Sequence, residues 1–397
     1  MQKFDYYTPT KVIFGKGTEN EVGKEMKKDG AKKAYIVYGG KSAKKSGLLD
    51  KVEKSLKDEN IEYKMIGGVK PNPRLSLARE GVKEAKEFGA DFILAVGGGS
   101  VIDTAKGIAH GVANPDTDIW DFWEGKAKVE KSLPVGVILT ISAAGSEMSN
   151  SAVLTNEETG MKRGLSTDFN RPKFAIMDPE LTYTLPDYQV GCGVVDIMMH
   201  TMDRYFTDLT DCQNDLTDEI AESLLRIVIK NGRVACKNKE DYHAMSEIMW
   251  AGSLSHNGLT GLGAPMDFAT HRLGHSLSAK FDVAHGASLS AMWPHWANYV
   301  KHKDIERFAR YARNVWGITE GTDEELADKG IEATVEFFKS INMPTCFSEL
   351  GIGIQDEDGL RELTNRCFYV KGTKVGKLIP LTEEDIYPIY VLSLIHI

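Results

Sequence analysis

Three short segments of the chain carry carboxylate and imidazole groups at the spacing a helix needs to present them together. In Val194-Val195-Asp196-Ile197-Met198-Met199-His200, Asp196 and His200 are i and i+4, so they project from one face about one turn apart. About 70 residues further on, Asp267-Phe268-Ala269-Thr270-His271-Arg272-Leu273-Gly274-His275 repeats the i, i+4 spacing, and Phe281-Asp282-Val283-Ala284-His285-Gly286 adds another imidazole. These residues are flanked by apolar ones, where an unpaired imidazole is costly to bury. A single histidine pair on a helix is more often a surface or capped pair than a ligand pair. One Asp with three or four His in such surroundings reads instead as a metal site. A carboxylate with three imidazoles is a borderline N/O donor set suited to Fe(II), Zn(II), Mn(II) or Co(II). His110, His243, His256, His295, His302 and His396 lack this spacing and read as structural or exposed. Cys192, Cys212, Cys236, Cys346 and Cys367 form no C-x-x-C pair, so neither a thiolate zinc site nor a disulfide framework is indicated.

A second kind of chemistry lies in the glycines. Phe92 to Val96 reads as a buried strand, Gly97-Gly98-Gly99-Ser100 follows at once, and Val101 to Ala109 resumes as a helix. Strand, glycine turn and helix N-terminus form the arrangement whose backbone N–H groups and positive dipole end favour a phosphate. The local alternative is a tight turn with Ser100 as N-cap and Asp103 offsetting the dipole. Two further strand ends carry turn chemistry: Tyr38-Gly39-Gly40-Lys41-Ser42, and the rigid Val69-Lys70-Pro71-Asn72-Pro73. Three loops are therefore expected to converge along the carboxyl edge of one sheet as a dinucleotide site. The residue after the first central strand is Gly39, not an acid, and Lys41, Lys44 and Lys45 lie beyond it. A ribose 2′-phosphate would meet attraction there, so NADP(H) is expected in preference to NAD(H).

The elements that must position these groups fall into two parts. Residues 1–185 alternate short apolar runs with helical patterns, the rhythm of βαβ units. The expected strands are 34–38, 92–96, 135–139 and 174–177, with helices such as 48–58 and 76–88 between them. After Asp178-Pro179 helix-period segments follow one another to the end. The expectation is an α/β, Rossmann-like N-terminal dinucleotide-binding domain with a mainly parallel sheet over 1–185, and an all-α C-terminal metal-binding and substrate domain over 186–397. A ligand cleft is expected where they meet. The 397 residues, 42% apolar and 26% charged, belong to a folded chain. A formal charge of -9 excludes a general nucleic-acid surface. With no apolar run near the ~18 residues of a membrane span, a cytoplasmic location is expected.

These motifs resemble the iron-containing (group III) alcohol dehydrogenase family across nearly the whole chain. The resemblance rests on Gly97-Gly98-Gly99-Ser100 with Asp103, Ala143-Ala144-Gly145-Ser146-Glu147, Asp178-Pro179, and His271 through His275 to His285-Gly286 with Pro294. The histidine spacing is its most specific part. Within the family the His271 to His285 region looks like the butanol dehydrogenases and NADPH-dependent aldehyde reductases. The resemblance implies Asp196, His200, His271 and His285 as ligands of Fe(II), and His275 as a catalytic histidine near substrate and nicotinamide. It also implies dinucleotide contacts at Gly39, Asn72, Gly98, Gly99, Ser100, Thr140 and Lys162, to which Gly40, Ser42 and Asp103 of the same loops are added. A homodimer or larger homo-oligomer is implied as well. Arg272-Leu273-Gly274 and the apolar tail from Leu392 to Ile397 depart from the family pattern. The tail leaves open whether the terminus is altered.

The activity implied is reversible hydride transfer between nicotinamide C4 and an aliphatic aldehyde or primary alcohol, with the ion acting as Lewis acid and His275 relaying the proton. Met198, Met199, Phe268 and Phe281 around the ligands suggest a simple aliphatic substrate. Competing readings are a lyase like dehydroquinate synthase or a glycerol-dehydrogenase-like enzyme of the same superfamily, and a non-catalytic dinucleotide-binding protein.

Overall fold

The computed structural model describes residues 1–395, so His396 lies outside the described residues. The chain divides into two compact units, Tyr7–Leu185 and a second formed by Pro186 onward together with Met1–Tyr6. The first six residues thus leave the unit that their sequence position suggests. A backbone hydrogen bond from Gln2 N to Gly263 O (2.8 Å) ties them to the helical unit.

The Tyr7–Leu185 unit contains, in order, β1 (Lys11–Phe14), α1 (Val22–Lys28), β2 (Lys33–Tyr38), α2 (Ser42–Lys45), α3 (Leu48–Asp58), β3 (Glu62–Ile66), α4 (Leu75–Phe88), β4 (Phe92–Gly97), α5 (Gly99–Ala113), α6 (Ile119–Glu124), β5 (Val135–Leu139), β6 (Ser151–Asn156), β7 (Met161–Ser166) and β8 (Phe174–Met177). Six strands form one parallel sheet in the order β1-β8-β5-β4-β2-β3. Every residue of β4, β5 and β8 is buried, as strands covered on both faces require, and this continuous apolar signal made them legible. The edge strands β1 and β3 were not expected. In β3 the order Glu-Tyr-Lys-Met-Ile alternates charge with apolar groups along a half-exposed edge, which masks it as a loop. β6 and β7 form a separate antiparallel hairpin that interrupts the βα rhythm.

In sequence order the chain runs from β2 outward to β3, then returns to lay β4 on the other side of β2 and continues to β5 and β8. The strand order therefore reverses between β2 and β4. In open parallel sheets the crevice outside the carboxyl ends at such a reversal is where ligands bind, and both expected glycine loops sit there.

The helical unit holds α7 (Asp187–Tyr205), α8 (Asp215–Ala235), α9 (Tyr242–His256), α10 (Ala269–Phe281), α11 (His285–Val300), α12 (Ile305–Tyr311), α13 (Asp323–Ser340), α14 (Glu357–Arg366) and α15 (Glu383–Leu392). Among the described residues no helix is long and apolar enough to cross a membrane. In α7 every residue from Val190 to Tyr205 is buried, and α11 is buried continuously from Gly286 to Ala297, so both are central helices. Of the apolar tail, Ser393 and Leu394 accept backbone hydrogen bonds from Phe347 and Ser348.

α7, α10 and α11 pack on one another. Their approach depends on small residues. A Cβ on Gly286 would stand 2.1 Å from the Cys192 carbonyl oxygen on α7, and one on Gly274 would stand 2.8 Å from Leu289 Cδ2 on α11. Gly286 follows His285 directly, so the same close approach sets where that imidazole enters. Since the obstacle is backbone rather than a flexible side chain, Gly286→Ala is expected to cost about 3 kcal/mol, the upper end for overpacking. The thermal midpoint should then fall by roughly 6–12 °C. A midpoint within a degree of wild type in a calorimetric scan would contradict this packing account.

Candidate functional site

At the carboxyl edge of the parallel sheet, backbone rather than side chains brings the loops together. Gly68 N donates to Gly39 O (2.8 Å), and Thr140 N donates to Gly97 O (3.1 Å). An added Cβ on Gly39 would lie 3.7 Å from both Val101 Cγ2 and Val69 O. On Gly98 and Gly99 it would meet Ile141 Cβ at 2.8 Å and Ala144 Cβ at 2.9 Å. The loops after β2, β3, β4 and β5 thus converge. α5 begins at Gly99 with Gly98 as its extended N-cap, so Ser100 stands inside the first turn, and the local alternative that made it the cap is corrected. No acidic residue occupies that first turn, which leaves the N–H groups and dipole of α5 suited to a phosphate.

The other expected dinucleotide positions divide into two groups. Asn72 adopts φ +56° and is buried, and its Oδ1 accepts from Lys162 Nζ (2.8 Å) across 90 residues of sequence. The contact is possible because Thr155 N on the hairpin donates to Pro73 O (2.8 Å). Gly40 and Ser42 lie exposed at the start of α2. Asp103 differs: its Oδ1 accepts from Ser146 Oγ (2.6 Å) and its Oδ2 from Val153 N (2.8 Å), so it ties α5 to the following loop. Lys106, fully buried, donates to Ser146 O, Ser146 Oγ and Ser151 O at 2.7 to 2.8 Å. Burial pushes its ammonium down to about 8 against the pull of Asp103 and Glu147. Together these two side chains fix the segment 146–153, a job the sequence reading did not assign.

In the helical unit the four expected acid and imidazole groups meet. Asp196 and His200 come from α7, His271 from α10, and His285 opens α11. Asp196 Oδ1 lies 3.4 Å from His200 Nδ1, 3.7 Å from His285 Nε2 and 3.8 Å from His271 Nε2. Donor atoms of Asp196, His200 and His271 all fall within 4.8 Å of one another. Asp196 Oδ1, His200 Nδ1 and His271 Nε2 are buried and make no hydrogen bond, and the separations from Asp196 are too long or too poorly aligned for one. Buried polar atoms left so are rare and costly unless something else satisfies them. An N/O-coordinating divalent cation fits this set in donor type, burial and convergence.

The two buried rings titrate in opposite directions. Burial pushes the His200 imidazole well below its ordinary range, and the positive field of Arg204 adds to this, so its ring lone pair stays available. Burial also acts to lower His271, but the Asp196 and Asp203 carboxylates outweigh it and hold the ring above its ordinary value. His275, one turn on from His271 and half-buried, has its ring centroid 5.1 Å from His285 and 6.2 Å from His271. It borders the cluster without belonging to the group of converging donors.

Sequence reasoning missed three neighbours. His271 Nδ1 donates to Asp203 Oδ2 (2.6 Å). Arg204 donates to His200 O (2.5 Å) and to His256 Nδ1 (2.9 Å), and the His256 ring lies tilted with its centroid 4.0 Å from that of His200. An Arg only donates, so His256 is the neutral Nε2–H tautomer. Asp196, His200 and Asp203 form an i, i+4, i+7 stripe, a signal that could have found Asp203. Nothing in spacing could have found His256, which comes from the end of α9. Of the apolar residues expected around the ligands, Met198 and Met199 are fully buried in the core. Phe268, at φ +55°, lies against the imidazoles, its ring tilted and 5.0 Å from that of His271. The remaining histidines away from the cluster include His110, which is fixed between Ser132 Oγ and Asn170 Oδ1, and His295, which contacts Thr345 O.

Comparison with known proteins agrees with this geometry. The model of the iron-containing alcohol dehydrogenase family matches residues 9–179, and that of the Fe-containing alcohol dehydrogenase C-terminal region matches residues 191–394. The chain is 41% identical over 395 residues to NADH-dependent butanol dehydrogenase A of Clostridium acetobutylicum, covering 99% of this chain and 100% of the relative. It is 38% identical to the NADPH-dependent aldehyde reductase YqhD of Escherichia coli, over 89% of this chain and 90% of that one. The crystal structure of NADH-dependent butanol dehydrogenase A from Thermotoga maritima superposes with a TM-score of 0.94 at 38% identity, covering 99% of each chain. A buried carboxylate ringed by imidazoles, a parallel sheet with glycine loops at its reversal, and full-length matches of this kind have one reading: the chain belongs to the iron-containing alcohol dehydrogenase family.

Proposed function

We propose that the chain is a metal-dependent oxidoreductase that interconverts aliphatic aldehydes and primary alcohols with NAD(P)H. The observation that carries this reading is Asp196 Oδ1 standing 3.4 to 3.8 Å from nitrogens of three imidazoles with no hydrogen bond of its own. Asp196, His200, His271 and His285 would hold the ion, Fe(II) by the reading of the family. When bound it supplies a Lewis acid toward the substrate oxygen.

The chain's own residues then have separate tasks. The glycine turns at Gly39-Gly40 and Gly98-Gly99, with Ser100 and the N-terminus of α5, bind the pyrophosphate. Asn72, Thr140 and Lys162 orient the rest of the dinucleotide. Phe268 excludes water from one side of the imidazole cluster. Held by these residues, the reduced dinucleotide would supply the hydride, and the oxygen of the aldehyde must gain a proton. His275, half-buried beside the cluster, delivers that proton and recovers it from solvent. A positioned general acid of this kind contributes about 10²-fold to 10⁴-fold.

For the cofactor, the loop after β2 carries no carboxylate to repel a 2′-phosphate, and Lys41, Lys44 and Lys45 are exposed beyond Gly39. This favours NADP(H), whereas relatives such as the Clostridium protein are named NADH-dependent. Catalytic efficiencies for butanal reduction should be higher with NADPH than with NADH, and a ratio below one refutes the preference. Chelation should abolish butanal reduction and Fe(II) added under argon should restore it. Full activity in metal-free protein would sink the proposed mechanism. His275→Ala should lower kcat by at least about 10²-fold and alter the pH–rate profile; an unchanged rate and profile would eliminate the relay.

A further inference from the structure

We propose that Asp203 is the positioning residue that makes His271 a metal ligand, by fixing which imidazole nitrogen carries the proton. The inference rests on the metal centre described above and concerns a residue that none of the expected ligand positions includes.

Asp203 is fully buried in the last turns of α7, on the same stripe as Asp196 and His200. Its Oδ2 accepts from His271 Nδ1 at 2.6 Å and also from the His271 backbone N–H at 3.3 Å. An ionised carboxylate can only accept, so the short contact requires the proton on Nδ1. The neutral ring then has its lone pair on Nε2, the atom that lies buried, without a hydrogen bond, 3.8 Å from Asp196 Oδ1. The opposite tautomer would place N–H where a cation needs a lone pair, and would turn a bare nitrogen toward Asp203.

The backbone contact does a second job. His271 is the third residue of α10, whose N-cap, Phe268, makes no side-chain cap. The first N–H groups of a helix have no partner inside it. Asp267 Oδ1 takes the one at Ala269 (2.9 Å), and Asp203 takes the one at His271. Asp203 also accepts the Asp267 N–H on its own carbonyl oxygen (3.0 Å). One residue of α7 therefore grips the start of α10 at three points and sets both the position and the ring orientation of its ligand. Carboxylates that accept the distal N–H of a ligating histidine are a recurrent outer layer of metal sites, and their loss typically costs about 10- to 100-fold in metal affinity.

The test is Co(II) titration of metal-free full-length protein, followed by visible absorption, for wild type, Asp203→Asn and Glu222→Gln. Glu222 is an equally buried carboxylate of the same unit, bonded to Tyr205, Arg310 and Asn314 and to none of the ligands. Asp203→Asn should weaken Co(II) binding about 10- to 100-fold and alter the absorption band. Glu222→Gln should lower the thermal midpoint and leave the Co(II) affinity within about twofold of wild type. Equal affinity and an identical band in Asp203→Asn overturn the inference, as does an equal loss in Glu222→Gln, which would make the effect general destabilisation. Should Asp203→Asn fail to fold, ¹⁵N NMR of the Zn(II)-loaded, histidine-labelled wild type decides: the ring whose signals vanish in His271→Gln must be protonated at Nδ1, and protonation at Nε2 overturns the inference. Failure of the wild type to bind one Co(II) per chain would instead bring down the metal-centre reading itself.

Discussion

A carboxylate oxygen buried among three imidazoles, with no hydrogen bond from any of them, is a constraint on the rest of the helical unit. Desolvating such a group costs several kcal/mol unless a positive charge stands beside it. Two of the surrounding rings are themselves buried, and burial opposes their protonation. A divalent ion resolves both problems at once. Seen this way, the all-round burial of α7 and α11 and the glycines at their crossing serve one purpose. They bring groups from distant parts of the chain within a few ångströms while keeping water out. The glycine beside His285 and the carboxylate behind His271 show that the surrounding packing is as specific as the donor set.

The other unit solves its problem with the opposite materials. Around the reversal between β2 and β4 the convergent groups are mostly backbone, because a pyrophosphate is recognised by N–H groups and by close approach, which side chains would obstruct. Side chains act one layer behind. Asp103 and Lys106 neutralise each other in part and pin the loop that follows β5, while Lys162 and Asn72 join the hairpin to the turn before α4. This accounts for a buried hydrogen-bond network at the foot of a glycine loop whose own surface carries no acid.

Much of this was legible in the sequence, and the reasons differ by element. Central strands announce themselves by unbroken Val, Ile, Leu and Ala runs because both faces are covered, and the carboxylate–imidazole cluster announces itself because two of its segments follow the helical period. Edge strands such as Glu62–Ile66 do not, since half their residues face solvent and read as loop. The attachment of Met1–Tyr6 to the helical unit, through the Gln2 backbone and the Met1 and Tyr6 side chains near Gly263 and Gly258, has no compositional signal. His256 reaches His200 only through the packing of α9 on α7, a tertiary fact that periodicity cannot carry. Asp103 was read as a dinucleotide contact from its place in a motif, whereas its two oxygens are engaged by Ser146 and Val153.

The most direct test of the central claim is X-ray absorption at the metal edge of protein loaded with one equivalent of Fe(II) or Zn(II) under argon. The structure predicts a first shell of nitrogen and oxygen only, at about 2.0–2.2 Å, with the outer-shell scattering of three imidazoles and a loss of one of the three in His285→Ala. A sulfur neighbour, or an imidazole count that does not change in that variant, would show that the ion is held elsewhere and that the buried cluster around Asp196 is not the metal centre.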